Sequence, residues 1–232
     1  MTARRAIVLA LCPLAAQEPG GFWRRILAGN KAGDDRIANG LKEALRVGTE
    51  QAVNLTGRLD GYFANAVIKI LLPEPIRKME RMLRIAGFGK KLDELVLGMN
   101  RAAEAAAPAA RDIFGNAIRQ MTIGDAQKLF TGGDTAATDY FREKTTPELT
   151  VLFRPPVTKV MGEIGVSRQF SQFFAQIRKL PLVKMEPLDM EGYVVDRALY
   201  GLFYVLGQEE SRIRKDPAAR VTAILREVFG QR

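Results

Sequence analysis

The chain has 232 residues, 47% of them apolar and 26% charged, with a formal net charge of +9. This length and balance are typical of one soluble domain, and the excess of cations favours an anionic partner such as a lipid headgroup, an acidic protein or nucleic acid. The absence of histidine and the single cysteine, Cys12, exclude imidazole catalysis, intramolecular disulfides and CxxC redox pairs. They favour a binding role, without a metal or cofactor, over catalysis.

The N-terminus has the pattern of a secretory signal peptide. Cations precede a short apolar run and a small-residue cleavage site: Arg4, Arg5, residues 6–11, Ala15 and Ala16. We therefore predict a signal peptide over residues 1–16, with a plain cytoplasmic N-terminus as the alternative. The apolar run is too short to span a bilayer. We expect a periplasmic or envelope-associated chain with no transmembrane helix in its mature form.

Cys12 follows the apolar run and is a candidate for lipidation as in bacterial lipoproteins. Leu11 before it is larger than the small residue that lipoprotein signals usually place there. The glycine-rich residues 17–33 are predicted to form a flexible tether, and residues 34–232 a helical domain.

A series of helices follows. From Asp34, apolar residues at helical spacing predict a helix that ends at Gly57. The apolar residues 67–72 precede a proline and have no strand to pair with, so we predict an extended connector. From Pro75, a helix with one apolar and one basic face is expected to end at Gly87.

The next helix is predicted over residues 92–106. A run of alanines follows, and Pro108 should divide it from the helix beyond. Asn100 and Glu104 lie one turn apart and are predicted to hold helices together by hydrogen bonds, with catalysis as the alternative.

Three residues that commonly cap helices each precede a helical pattern, and they predict starts at Thr122, Asp134 and Thr146. The pair Pro155–Pro156 is expected to interrupt the last of these helices. An amphipathic pattern over residues 167–180 predicts one more.

The most apolar helix is predicted over residues 193–207, because residues 198–206 carry no charged side chain. Such a helix is covered on most sides, so we expect it at the centre of the bundle. A last helix is expected to begin at Asp216, with Pro217 in its first position. The sequence shows no internal repeat, and the predicted fold class is all-α, a single-domain multi-helix bundle.

Aromatic residues of the central helix are candidates for a ligand pocket. Spacings of seven and four residues place three tyrosines on one helix face with a phenylalanine beside them: Tyr193, Tyr200, Phe203 and Tyr204. Tyrosine combines an apolar ring with a polar end, which suits a lipid or another hydrophobic ligand with a polar head. A stripe of ordinary core residues is the alternative.

The densest group of cations forms a basic segment, which comprises Arg77, Lys78, Arg81, Arg84, Lys90 and Lys91. An anionic membrane surface is one candidate partner, since each cation near such a surface contributes about 1 kcal/mol. Nucleic acid is less favoured because the aromatic residues of single-strand binders are missing between the cations. A solvated helix face is the alternative.

Six short motifs occur in order along the chain: GLKEALRVG at 40–48, NRAAE at 100–104, MTIGDA at 121–126, TGGD at 131–134, Tyr140-Phe141 and DPAAR at 216–220. Together they resemble a bacterial family described as domain of unknown function 4197. The resemblance covers about residues 40–230. It implies an exported helical protein, often with a signal or lipoprotein signal, and supplies no activity, cofactor or catalytic residue.

These observations favour an exported, non-enzymatic envelope protein that binds a lipid, a hydrophobic small molecule or a partner protein. This hypothesis predicts an apolar cavity near Tyr200 and Tyr204, or a docking surface. One alternative is a hydrolase or lyase with two carboxyl groups converging in a cleft. The other is a cytoplasmic nucleic-acid-binding protein.

Overall fold

The computed structural model describes residues 31–163, 188–220 and 222–229. These ranges contain nine α-helices, a π-type turn and two 3₁₀ turns. The helices are α1 (Lys31–Gly57), α2 (Glu74–Arg77), α3 (Glu80–Leu83), α4 (Gly89–Ala106), α5 (Ala110–Gln120), α6 (Ile123–Thr131), α7 (Ala136–Glu163), α8 (Met190–Lys215) and α9 (Ala223–Phe229). These residues contain no strand, and the helices pack around one apolar core. The predicted all-α, multi-helix bundle is confirmed.

The central helix of the bundle is α8, as its charge-free stretch predicts. It packs against α1, α7 and α4. Between Ala198 and Leu206 every residue is buried except Tyr200 and Tyr204. An apolar helix surrounded in this way leaves only a narrow stripe for contact with solvent or a partner.

Helix α7 differs most from the predicted helices, because it continues without interruption through Pro147, Pro155 and Pro156. Neither the start at Thr146 nor the break at the proline pair occurs. The buried residues of α7 recur every four positions: Phe141, Thr145, Leu149, Phe153, Val157 and Met161. The prolines lie outside this face. Because proline has no N–H, the carbonyl one turn earlier has no helical donor. These carbonyls belong to exposed residues and can bond to water. Packing of the buried face against α4 and α8 therefore outweighs the lost hydrogen bonds.

The start of α7 is capped by a residue distant in sequence. Asp134, the expected cap, forms an ion pair with Lys215 instead. The N–H groups of Ala137 and Thr138 donate to the carboxylate of Glu210 in α8, at 3.1 and 2.8 Å. A buried carboxylate from the central helix thus caps α7 in place of a local residue, and its hydrogen bonds join the two helices.

Two other predicted starts have different outcomes. The Thr122 cap of α6 is confirmed, since its hydroxyl accepts from the N–H of Asp125 at 3.1 Å. Asp216 caps only a 3₁₀ turn, where its carboxylate accepts from the N–H of Ala218 at 2.9 Å. The last helix, α9, begins later, at Ala223.

Residues 58–73 form an irregular connector without a strand. The part predicted to be extended, residues 67–72, pairs with no strand, as expected, but it begins in a turn in which the N–H of Lys69 donates to the carbonyl of Asn65 at 2.8 Å. The single helix expected after Pro75 is divided into α2, α3 and the π-type turn (Arg84–Phe88). The division comes at Met79, whose backbone angles (φ −104°, ψ 1°) lie outside the helical range. The expected division at Pro108 is confirmed by a 3₁₀ turn between α4 and α5.

Several predictions fall outside the described residues: the signal peptide over 1–16 with Cys12, the tether as far as residue 30, and the helix over 167–180. Residues 31–33, which we expected in the tether, belong to α1. Within the described ranges, no helix combines the length and apolar character needed to cross a bilayer.

Candidate binding face

A polar clamp inside the bundle holds the connector in place. Asn100 is fully buried; its Oδ1 accepts from the N–H of Ile70 and its Nδ2 donates to the carbonyl of the same residue, both at 2.8 Å. One turn later, Glu104 Oε1 accepts from the N–H groups of Tyr62 and Phe63, both at 3.1 Å. Asn100 and Glu104 were predicted to hold helices together, but their hydrogen bonds to residues 62, 63 and 70 instead join α4 to the connector.

Arg101 closes this clamp from the solvent side. Its guanidinium donates to Glu104 Oε2 at 2.6 Å and to Asp60 Oδ1 at 2.7 Å. Asp60 has a φ of 62°, a left-handed conformation uncommon outside glycine, and the ion pair helps to hold it. Both oxygens of Glu104 are therefore engaged in structural bonds.

Tyr62 docks the connector on the central helix. Its side chain is fully buried, and its hydroxyl donates to the carbonyl of Ala198 at 2.6 Å. A β-carbon at Gly201 would lie 2.5 Å from Tyr62 Cε1, so only glycine allows this approach. Burial raises the pKa of the Tyr62 phenol well above its ordinary value, and the group stays neutral.

Of the four predicted pocket residues, the phenylalanine is buried and the three tyrosines are at least partly exposed. Phe203 points into the core, where its ring meets another phenylalanine edge-on. Tyr193 donates its hydroxyl to the carbonyl of Leu71 at 2.9 Å. Tyr200 stacks on Tyr204, with 6.5 Å between the ring centroids. The three tyrosines form an outer stripe along α8 that continues onto the connector.

Two arginines join this stripe. Arg197 lies over the ring of Tyr200, 4.5 Å from its centroid, in a cation–π contact. Burial raises the pKa of Tyr193, and the positive charges of Arg197 and Arg77 oppose that rise. One member of the basic segment, Arg77, therefore acts on a tyrosine of this stripe through its charge. We name this group the aromatic–cationic face: Leu71, Arg77, Tyr193, Arg197, Tyr200 and Tyr204.

All six predicted cations of the basic segment are exposed. Three of them pair with carboxylates: Lys78 with Glu74 at 3.0 Å, Arg84 with Glu80 at 2.8 Å and Asp93 at 2.7 Å, and Lys90 with Glu94 at 3.8 Å. Among the described residues, no carboxylate lies within 4.0 Å of Arg77, Arg81 or Lys91. The ion pairs therefore leave these three cations of the basic segment without a carboxylate partner among the described residues.

Two of the recesses among the described residues lie between α1 and a neighbouring helix, away from the aromatic–cationic face. A cavity of about 20 Å³ lies between α1 and α8 and is lined mainly by apolar side chains such as Leu45 and Ile213. It has room for one water molecule. A groove of about 280 Å³ lies between α1 and α5. Its lining includes three arginines and two carboxylates: Arg46, Arg111, Arg119, Glu50 and Asp112. Neither contains a residue of the tyrosine pocket, which stays a prediction. No group of residues in the described ranges has the composition of a metal site.

Sequence reasoning missed two members of the face. Arg197 stands one turn after Tyr193 and one turn before Tyr200, and this spacing was the signal that could have found it. The part played by Leu71 depends on the path of the connector, which no periodicity predicts.

Comparison with known proteins gives a family. Residues 31–230 match the family described as protein of unknown function (DUF4197). No curated protein and no solved structure matches the chain. Because the match covers nearly the whole chain, the protein belongs to this family, as its motifs indicated.

Proposed function

We propose that this protein is a non-enzymatic envelope protein that binds an anionic lipid surface through the aromatic–cationic face. The observation that carries the proposal is the contact of Arg197 with the ring of Tyr200, which stacks on Tyr204 along the outer stripe of α8. Tyrosine rings suit the boundary between headgroups and acyl chains, and guanidinium groups form strong, charge-assisted bonds to phosphate. The face therefore combines the two kinds of contact that a phospholipid surface offers.

The connector adds apolar surface to this face. Val67 and Leu71 are both about half exposed, and the buried clamp of Asn100 and Glu104 holds their backbone in place. A rigid surface loses little conformational freedom when a partner covers it. This preorganisation supports docking on an extended surface.

The proposed location is the bacterial envelope, and the N-terminal pattern supports it. Denaturing mass spectrometry of the protein purified from its own cells' envelope fraction tests this. Loss of residues 1–16 would indicate a cleaved signal, whereas loss of residues 1–11 with added acyl mass would indicate lipidation of Cys12. A full-length chain found only in the cytosol would overturn the proposed location.

Binding is tested by cosedimentation of the full-length chain with lipid vesicles, using Cys12→Ser to exclude a lipid anchor. Vesicles of phosphatidylglycerol and phosphatidylcholine should bind the protein at low ionic strength. They should release most of it at about 1 M salt, where the screening length falls to about 3 Å. Vesicles of phosphatidylcholine alone should bind it far more weakly.

A pair of double variants locates the binding surface. Arg77→Gln with Arg197→Gln should lower the affinity about 30-fold, because two cations contribute about 2 kcal/mol. The control, Arg58→Gln with Lys128→Gln, removes the same charge from exposed residues outside the face and should have less than about a threefold effect. Equal losses would show that net charge alone matters and would refute the face. Binding to DNA but not to vesicles would favour the nucleic-acid alternative.

A further inference from the structure

The chain exposes a short apolar tip at the junction of α3 and α4, which includes the end of α3, the π-type turn and the start of α4. We define the tip as residues 81–91. Residues 84–87 are all exposed, and Gly87 turns the backbone with a φ of 88°, a conformation that glycine adopts without strain. Ile85 is 79% exposed and Met82 is 47% exposed. Two large apolar side chains therefore face solvent at a sharp turn.

The tip is held in a defined conformation. The guanidinium of Arg84 donates to Glu80 at 2.9 Å and to Asp93 at 2.7 Å, so one side chain bridges α3 and α4 across the turn. Leu83 and Leu92 are buried at its base. The exposure of the apolar side chains is thus imposed by an anchored backbone.

The charge around the tip indicates its partner. Between residues 81 and 92 the chain carries four cations and no carboxylate. Within the described residues, Arg81 and Lys91 have no carboxylate within 4.0 Å. An anionic bilayer is complementary to this arrangement, because phosphates bind the cations while acyl chains cover the apolar side chains. A soluble polyanion would match the cations alone.

We infer that the tip inserts into an anionic bilayer, with Met82 and Ile85 entering the boundary between headgroups and acyl chains. Arg81 and Lys91 bind phosphates beside them. Interfacial elements of this composition bury their apolar side chains about 5–10 Å below the surface. The inference rests on the proposed function and adds the point of penetration to it. The helix that carries Arg77, α2, shortly precedes the tip in the chain.

Substitution of one isoleucine tests the insertion. Ile85→Ser should weaken binding to phosphatidylglycerol vesicles about tenfold, because it removes the most exposed apolar side chain of the tip. Ile123→Ser is the matched control, since Ile123 is also an exposed isoleucine (46%) but lies at the start of α6. Its affinity should be unchanged. Equal losses from the two substitutions, or no loss from Ile85→Ser, would overturn the insertion.

A single tryptophan at the tip measures depth directly. Trp23 is the only tryptophan of the chain, so Trp23→Phe with Ile85→Trp reports from the tip alone. Vesicles of phosphatidylglycerol with brominated acyl chains should quench its emission and shift it to shorter wavelength. The same reporter placed by Ile123→Trp should remain unquenched.

Cosedimentation of the same samples separates this inference from the proposed function. Protein that binds anionic vesicles with an unquenched tip would overturn the insertion and leave the aromatic–cationic face standing. Quenching that is as strong in phosphatidylcholine alone would support insertion and overturn the requirement for anionic lipid. Absence of binding to any vesicle would overturn both.

Discussion

The substitution Glu210→Ala tests the central link of the fold. Glu210 accepts from two N–H groups at the start of α7 and from the hydroxyl of Thr138, the latter at 2.7 Å. Arg214 donates to the same carboxylate at 3.0 and 2.9 Å and also to carbonyls in the last turn of α6. One buried ion pair therefore joins the end of α6, the start of α7 and the central helix.

The structure sets the size of the effect. Loss of the carboxylate removes a helix cap, which is worth about 1 kcal/mol. It also leaves the Arg214 side chain, only 4% exposed, without its counter-charge, and breaking a buried pair in this way costs about 3–5 kcal/mol. Because the two effects overlap, we expect the free energy of unfolding to fall by about 4 kcal/mol. The melting temperature should fall by about 8–16 °C in a chain of this size.

The neighbouring residue is the matched control. Glu209 is also shielded, with 10% of its side chain exposed, but its ion-pair partner Arg212 is 53% exposed. Glu209→Ala should therefore lower the free energy of unfolding by less than about 1 kcal/mol. Thermal and urea unfolding followed by circular dichroism measure both variants. Equal losses would refute the reasoning, because they would show that the buried connections of Glu210 add nothing to an ordinary surface pair.

Three further predictions use the same unfolding measurements. Gly48→Ala should stabilise the protein by about 1 kcal/mol, because the added β-carbon would lie 3.7 Å from an isoleucine of α8 and alanine favours the helix. Gly201→Ala should instead destabilise the protein by about 2 kcal/mol, because its β-carbon would overlap the buried tyrosine ring of the connector. Asn100→Leu should lower the free energy of unfolding by about 2–4 kcal/mol, because it leaves a buried backbone N–H and carbonyl without a hydrogen-bond partner. Bonds from Thr122 hold the pKa of Asp125 below its ordinary value. This stabilisation is present above a pH of about 3.9 and is lost as the pH falls through the lowered pKa, so Asp125→Asn should reduce the acid-induced fall in melting temperature. Stabilisation by both alanines, an unaffected Asn100→Leu variant, or an unchanged acid profile would contradict these predictions in turn.

Local signals in the sequence were sufficient for most of the helices. The apolar spacing of α1, the cap at Thr122 and the break at Pro108 each depend on residues within one or two turns of one another, and the structure confirms all three. The position of α8 followed from a charge-free run, because a helix without charges must be covered. These features needed no knowledge of the partners.

The features that sequence reasoning missed depend on distant residues. The prolines of α7 were expected to end a helix, and only a buried face with partners in α4 and α8 shows why they do not. The cap of α7 comes from Glu210, more than 70 residues along the chain. Asp134 has the right chemistry and the right place in sequence for this cap, but it pairs with a lysine of α8.

The basic segment shows the same limit with a functional consequence. Its density predicted one cationic surface, but the structure divides it. The charge of Arg77 acts on Tyr193, Arg81 and Lys91 flank an apolar tip, and the other three cations are ion-paired. Binding to a membrane through two such parts has two separable contributions. Salt screens the cations of the aromatic–cationic face, whereas burial of Ile85 is apolar and little screened. The charge substitutions should therefore lose their effect as salt rises while Ile85→Ser keeps its effect, and a surface bound by charge alone would show no such difference.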